Sequence, residues 1–178
     1  MNNPKIGIIL GSASDASHTK KIGDTLTDLA IPFEVTIASA HRTPEDTVRY
    51  ARNARRRGIE VIIAVAGLSA ALPGAVAAQT TLPVIGVPVE SGTLLGMDAL
   101  LSTAMMPPGV PVASVGINGG TNAALLAARI LAAHDDRTAE KLQAYADAKA
   151  KKIRTSRGDP SVLQNLPTAP ENAFDAKD

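Results

Sequence analysis

Short apolar segments alternate with amphipathic ones along most of the chain. Five apolar runs of the kind that form buried strands cover residues 5–10, 33–38, 60–65, 83–88 and 110–117. The intervening segments, which have helical periodicity or composition, cover residues 15–30, 44–57, 70–79, a short stretch opening at Asp98, and 121–133. Strands that alternate with helices predict an α/β fold with a five-stranded, parallel, doubly wound sheet and right-handed crossovers.

The middle of the chain is almost free of charge. From residue 61 to residue 128 the only charged side chains are Glu90 and Asp98, so we expect this block to form the core. Its first part, residues 61–89, is long enough to raise the question of a membrane span, but a Pro-Gly pair at residues 73–74 interrupts it. We therefore interpret it as a strand, a helix and a strand.

A last helix is predicted near residues 138–153, after the five-stranded unit is complete. Its apolar stripe is formed by Ala139, Leu142, Ala146 and Ile153. Such a stripe needs a partner surface, which predicts packing against a neighbouring subunit. A length of 178 residues suits about one domain. We predict one α/β domain over residues 1–153 and an extended or disordered tail over residues 154–178.

Composition narrows the classes of function. Lysine and arginine number 18 against 17 aspartates and glutamates, so the net charge of +1 is too small to favour a nucleic-acid or membrane-surface partner. With only four aromatic side chains, the interior must consist of alanine and branched aliphatic residues. The chain has no cysteine and no signal-peptide pattern, which predicts a cytoplasmic protein without disulfide or thiolate chemistry.

Two strand-to-helix turns carry candidate chemistry, because ligands of parallel sheets bind at the carboxyl ends of the strands. The first turn, residues 11–15, reads Gly-Ser-Ala-Ser-Asp; it is suited to a phosphate at a helix N-terminus, or is an ordinary helix cap. No nucleoside-triphosphate or dinucleotide motif accompanies it. The second turn, residues 39–44, places His41 beside Arg42. A titratable group beside a permanent cation suits proton transfer and phosphate binding, or is an ordinary exposed pair on the protein surface. We interpret His18, within the first predicted helix, and His134, at the end of a later one, as structural or solvated.

Two further turns are rich in small residues. The third turn, residues 66–74, offers backbone amides and Ser69 but no acid or base, and suits either substrate contact or close helix packing. The fourth turn, residues 116–122, contains three glycines that allow a helix and a strand to pack closely. Asp98 is most simply interpreted as the N-cap of its helix.

Six ordered segments together resemble a known family. They are Gly-Ser-x-Ser-Asp at 11–15, Ser-Ala-His-Arg-Thr-Pro at 39–44, Leu-Pro-Gly at 72–74, Leu-Pro-Val-Ile-Gly-Val-Pro-Val at 82–89, Met-Pro-x-Gly-Val-Pro-Val at 106–112, and Asn-Ala-Ala-Leu-Leu-Ala-Ala at 122–128. The pattern is similar to that of the N5-carboxyaminoimidazole ribonucleotide mutases of de novo purine synthesis. The resemblance implies a flavodoxin-like three-layer α/β/α sandwich with an extra C-terminal helix, assembled into an octamer, with no metal or organic cofactor.

The resemblance also implies a reaction on a small ribonucleotide. A carboxylate on the exocyclic nitrogen of the aminoimidazole leaves as carbon dioxide and is added back at ring carbon 4, and His41 is the proton carrier. By the same resemblance Ser12, Ser14 and Arg42 hold the 5′-phosphate and Asp15 holds the ribose hydroxyls. The remaining implied substrate contacts are Ser39, Ala40, Gly67, Ser69, Ala71 and Leu72.

One position departs from the mutase pattern. Mutases usually have a histidine where this chain has Ala71. Related carboxylases, which use free carbon dioxide, have a third turn that Gly67, Ser69, Ala71 and Leu72 match and that Leu68 and Ala70 do not. Arg42 with the following Thr-Pro favours the mutase. The alternatives are therefore a direct carboxylase and a non-catalytic ribonucleotide-binding relative, while a nicotinate-dinucleotide carboxylase/hydrolase is excluded by the lack of cysteine.

Overall fold

A computed structural model describes residues 3–157, 159, 161–163 and 166–174. The strands are β1 (Ile6–Leu10), β2 (Phe33–Ile37), β3 (Val61–Ala66), β4 (Val84–Pro88) and β5 (Ala113–Ser114). The helices are α1 (Ala16–Asp28), α2 (Pro44–Ala54), α3 (Ala71–Ala77), α4 (Met97–Ala104), α5 (Gly120–Ala132) and α6 (Asp136–Ser156). Short 3-10 helices cover Ala13–Asp15, Arg55–Arg57 and Glu171–Phe174. Each predicted strand and helix is present.

The sheet is entirely parallel, with the strand order β2-β1-β3-β4-β5. All residues of β1, β3 and β4 are buried, which explains their continuous apolar sequences. The chain passes from β1 outward to β2 and then returns to place β3 on the other side of β1. The strand order therefore reverses between β1 and β3, which is where a doubly wound sheet opens a crevice for a ligand.

Small residues let the layers approach closely. Helices α1 and α5 pack against each other, and α3 and α4 contact β4. At Gly86 in β4 an added Cβ would lie 2.2 Å from Cγ2 of Thr103 in α4, so only glycine fits. The second helix, predicted over 44–57, ends as an α-helix at Ala54 and continues as a 3-10 helix to Arg57. The predicted stop at Gly58 is confirmed, since its φ of 90° closes that turn.

The last strand and the last helix differ from their predicted bounds. The prediction of a strand over 110–117 was too long, since β5 has only two residues; Pro111 has no N–H to donate to a sheet. Helix α6 is longer than the predicted 138–153. None of the described helices is long and apolar enough to cross a membrane.

The chain forms two compact units, Met1–Ala139 and Glu140–Asp178. Within the second, the Arg157 guanidinium lies 3.6 Å from the ring centroid of Phe174. Helix α6 includes residues 154–156, which the predicted tail contained. Other parts of that tail, residues 158, 160, 164–165 and 175–178, lie outside the described residues. The division at residues 153 and 154 stays a prediction.

Candidate active site

A cleft of about 440 Å³ opens at the carboxyl ends of β1, β2 and β3. Three turns form it, because the strand order brings the loops that follow these strands side by side. It lies at the reversal of strand order, where the topology predicts a ligand. Its lining is Gly11, Ser12, Ser14 and Asp15 from the first turn, Ser39, Ala40, His41 and Arg42 from the second, Ala66, Gly67, Leu68, Ala70, Ala71 and Leu72 from the third, and Ser91 after β4.

The first turn is a hydroxyl pair at the start of a helix. Ser12 is extended, and its Oγ accepts a hydrogen bond from the N–H of Ser14 at 3.2 Å. The two serine Oγ atoms are 2.8 Å apart. The 3-10 helix Ala13–Asp15 continues directly into α1, so hydroxyls and the positive end of a helix dipole face the same cleft. This arrangement can bind a phosphate.

Asp15 is the one strongly buried acid of the cleft, with 8% of its surface exposed. Burial raises the pKa of its carboxyl group, and the charge of His18, a backbone hydrogen bond at Ser12 and the charge of Arg42 partly offset that rise. The sequence indicated a structural or solvated role for His18. The structure adds that His18 lies near enough to Asp15 to stabilise the ionised carboxylate.

The second turn is held by its own hydrogen bonds. Thr43 donates its backbone N–H to the Ser39 carbonyl at 2.8 Å, and the Ser39 N–H donates to Thr43 Oγ1 at 2.9 Å. The Arg42 guanidinium reaches the Gly11 carbonyl at 3.4 Å, which joins this turn to the first. His41 is exposed and lines the cleft. A titratable imidazole and a guanidinium therefore face the same space as the serine pair.

The third turn supplies a wall of small and apolar side chains. Ala71 lines the cleft at the start of α3, at the position where the resemblance leads one to expect histidine. Ser69 is the one predicted contact that the structure does not bring into the lining. Its backbone has a φ of 55°, a left-handed conformation that serine rarely adopts and that costs about 1–3 kcal/mol.

The prediction for Asp98 was wrong. The N-cap of α4 is Gly96, and Asp98 lies within the first helical turn. Its Oδ2 instead accepts a hydrogen bond from the Ser69 N–H at 2.7 Å. Sequence reasoning missed this contact because 29 residues separate the two partners.

Sequence reasoning also missed Ser91 and the role of the fourth turn. Ser91 comes just after β4, and an added Cβ at Gly67 would lie 3.1 Å from Ser91 Cβ. Asn118 of the fourth turn accepts from the Glu90 N–H at 3.0 Å and donates to Glu90 Oε2 at 3.1 Å. The fourth turn therefore braces the loop that carries Ser91. The position of Ser91 at the end of a predicted strand was the available signal.

Among the described residues, no group of three or more histidine, aspartate or glutamate side chains could hold a metal ion. The polar groups of the cleft are hydroxyls, one guanidinium, one imidazole and one carboxylate. This set can bind a phosphate and a sugar, and can transfer a proton.

Comparisons with known proteins show the family to which this chain belongs. The family described as AIR carboxylase matches residues 5–152. The N5-carboxyaminoimidazole ribonucleotide mutase of Pyrococcus abyssi is 54% identical over 142 residues, 80% of this chain and 82% of that protein. Its namesake in Bacillus subtilis is 57% identical over 141 residues, 78% of this chain and 87% of that protein. The phosphoribosylaminoimidazole carboxylase of Schizosaccharomyces pombe is 51% identical over 147 residues, 83% of this chain and 27% of that longer protein.

Solved structures agree as well. The crystal structure of Treponema denticola PurE superposes with a TM-score of 0.80 at 34% identity, covering 90% of this chain and 99% of that one. This likeness confirms the predicted flavodoxin-like α/β sandwich, and the relatives confirm the resemblance drawn from the six sequence segments. The chain belongs to the AIR carboxylase family.

Proposed function

We propose that this chain is an isomerase of purine synthesis that converts N5-carboxyaminoimidazole ribonucleotide to 4-carboxy-5-aminoimidazole ribonucleotide. The observation that carries the proposal is that His41, Arg42 and the Ser12–Ser14 hydroxyl pair line one cleft at the reversal of strand order. We call the serine pair, the start of α1 and Arg42 the phosphate cradle. Relatives named for this mutase activity match the chain over more than four fifths of their own length.

Substrate binding uses the first two turns. Ser12, Ser14 and the start of α1 donate hydrogen bonds to the 5′-phosphate, and Arg42 neutralises part of its charge. The Asp15 carboxylate accepts hydrogen bonds from the ribose hydroxyls. The aminoimidazole ring is then directed toward His41 and the third turn, which line the rest of the cleft.

His41 moves the protons. The bond between the exocyclic nitrogen and the carboxyl carbon breaks, carbon dioxide leaves, and protonated His41 supplies a proton to that nitrogen. Ring carbon 4 then attacks the carbon dioxide, and neutral His41 removes the hydrogen from carbon 4. The imidazole returns to its starting state, so the isomerisation gains and loses no proton overall.

Carbon dioxide must stay in the cleft between these two steps. Leu68, Ala70 and Leu72 line it and suit a small molecule without a net dipole. General acid–base catalysis contributes about 10²- to 10⁴-fold, so holding the two reacting partners together must contribute the rest. Because Ala71 has no polar side-chain group, apolar contacts and backbone groups of the third turn must hold the carbon dioxide.

The second candidate is a direct carboxylase. The composition of the third turn favours it at Gly67, Ser69, Ala71 and Leu72, and fungal relatives bear the carboxylase name. Arg42 with the following Thr-Pro favours the mutase. A non-catalytic ribonucleotide-binding role would leave His41 without a purpose in the cleft.

Turnover measured separately with two substrates tests the proposal. We expect faster turnover from the N-carboxylated ribonucleotide than from aminoimidazole ribonucleotide plus bicarbonate, at matched concentration and pH. The reverse order would identify a direct carboxylase, and no turnover of either would favour a binding role. The Ala71→His variant should keep or raise mutase turnover without creating dependence on bicarbonate.

The proposal extends to a homo-octamer in the cytoplasm. Large apolar side chains that are about half or more exposed occur in and near α4, namely Leu94, Leu95, Met97, Leu101 and Met105. Exposed apolar groups at this density suit contact with further copies. A chain without cysteine forms no disulfide and so needs no oxidising compartment. Sedimentation should give a particle of eight 18.3 kDa chains, and a monomer at micromolar concentration would contradict the assembly.

A further inference from the structure

Asp98 makes a contact that the start of its own helix does not require. Its Oδ2 accepts the Ser69 N–H at 2.7 Å, within the range of a charge-assisted hydrogen bond. Its Oδ1 is buried and has no hydrogen-bond partner among the described residues. A buried carboxylate oxygen left unpaired opposes stability, so the presence of this acid needs another reason.

The contact holds a strained stretch of backbone. Ser69 has a φ of 55°, and the next residue, Ala70, has a φ of −3° and a ψ of 57°. Such conformations persist only where the surroundings impose them. A second hydrogen bond, from the Ala70 N–H to the Gly67 carbonyl at 3.0 Å, closes the same turn. The Asp98 bond joins the Ser69 backbone to a different element, helix α4.

The residues on either side of Ser69 form the apolar wall of the cleft. Leu68, Ala70 and Ala71 all line it, whereas Asp98 does not. A shift at Ser69 therefore moves the wall without altering the serine pair or Arg42, which lie on other turns.

We propose that Asp98 is a positioning residue that keeps the third turn closed around carbon dioxide. This inference rests on the proposed mutase function. Weakening the contact should let carbon dioxide escape before ring carbon 4 captures it. The nitrogen–carbon bond then breaks as before and the nitrogen keeps the proton from His41, so the products are aminoimidazole ribonucleotide and carbon dioxide. Solvent water returns a proton to His41 before the next turnover.

The test is a product ratio measured with the N-carboxylated substrate. It compares aminoimidazole ribonucleotide, formed when carbon dioxide escapes, with the rearranged 4-carboxy-5-aminoimidazole ribonucleotide, and is corrected for spontaneous decarboxylation. This ratio does not depend on how much of the enzyme is folded. We expect it to rise about tenfold in Asp98→Ala and about threefold in Asp98→Asn, which keeps an uncharged acceptor. KM should change less than about twofold, because the phosphate cradle is intact. Asp46→Asn is the matched control, since Asp46 is an exposed acid in the first turn of α2, and its ratio should equal that of the wild type.

Hydrogen–deuterium exchange of a peptide covering residues 67–71 tests the positioning role of Asp98 separately from the proposed mutase function. Exchange should be faster in both Asp98 variants and unchanged in Asp46→Asn. If the wild type makes no rearranged product while exchange still changes in the Asp98 variants, the proposed function is wrong. The structural part of the inference, that Asp98 holds the third turn, is then still supported. Unchanged exchange in Asp98→Asn and Asp98→Ala, or an unchanged product ratio in a working mutase, would overturn the inference.

Discussion

Replacing Asn118 by aspartate changes one heavy atom in the pair of hydrogen bonds between Asn118 and Glu90. Asn118 has a φ of 57°, which aspartate tolerates almost as well as asparagine. The introduced carboxylate can still accept the Glu90 N–H, which lies 3.0 Å from Asn118 Oδ1 in the wild type. It cannot donate to Glu90 Oε2, which lies 3.1 Å from Asn118 Nδ2, and it places a second negative charge there.

The expected loss of stability follows from those two changes. Losing one hydrogen bond removes about 0.5–1.5 kcal/mol. Glu90 is exposed, so the repulsion is best taken in water, where two like charges at that distance oppose each other by about 1.3 kcal/mol. Together they lower the free energy of unfolding by about 2–3 kcal/mol. For a chain of this size the unfolding midpoint should fall by about 4–12 °C.

Thermal and urea unfolding at pH 7 and one protein concentration provide the assay. Glu90→Gln alone should be within about 0.5 kcal/mol of the wild type, because its amide oxygen still accepts from Asn118. The double variant, Asn118→Asp with Glu90→Gln, exchanges donor and acceptor and should recover most of the loss. An Asn118→Asp chain as stable as the wild type, or a double variant no better than that single one, would refute the assigned pairing.

Three other substitutions test the site and the core. His41→Asn should lower kcat by at least about 10²-fold with little change in ligand affinity, whereas His134→Asn should be silent in the same assay. Because burial raises the pKa of Asp15, the ionised carboxylate opposes folding at neutral pH. Asp15→Asn should therefore unfold at a higher temperature than the wild type at pH 7, and this gain should shrink as pH falls and Asp15 takes up its proton; an equal gain at pH 4 would contradict it. Gly86→Ala should destabilise by about 1–3 kcal/mol in urea, while Gly116→Ala, where no described atom lies within 4 Å of the added Cβ, should stay near the wild type.

The sequence alone was sufficient for the fold class and for locating the three turns that line the cleft. Buried parallel strands need apolar side chains on both faces, so β1, β3 and β4 stand out as continuous aliphatic runs. Gly58 and the proline that opens α2 mark helix ends through backbone constraints that act locally. Ser12 and His41 were predicted as site residues because each follows a recognisable strand, and both line the cleft.

Only the tertiary structure decided which distant residues meet. The order β2-β1-β3 sets the three turns side by side, and alternation of strands and helices does not specify that order. The sequence indicates a helix cap at Asp98, yet the Asp98 carboxylate accepts a hydrogen bond from Ser69. The sequence indicates a turn residue at Asn118, yet the Asn118 side chain accepts a hydrogen bond from Glu90. The physical reason is that helix and strand periodicity arise from neighbouring residues. A hydrogen bond between residues 28 or 29 positions apart depends instead on how the helices pack on the sheet. The burial that raises the pKa of Asp15 depends on the same packing.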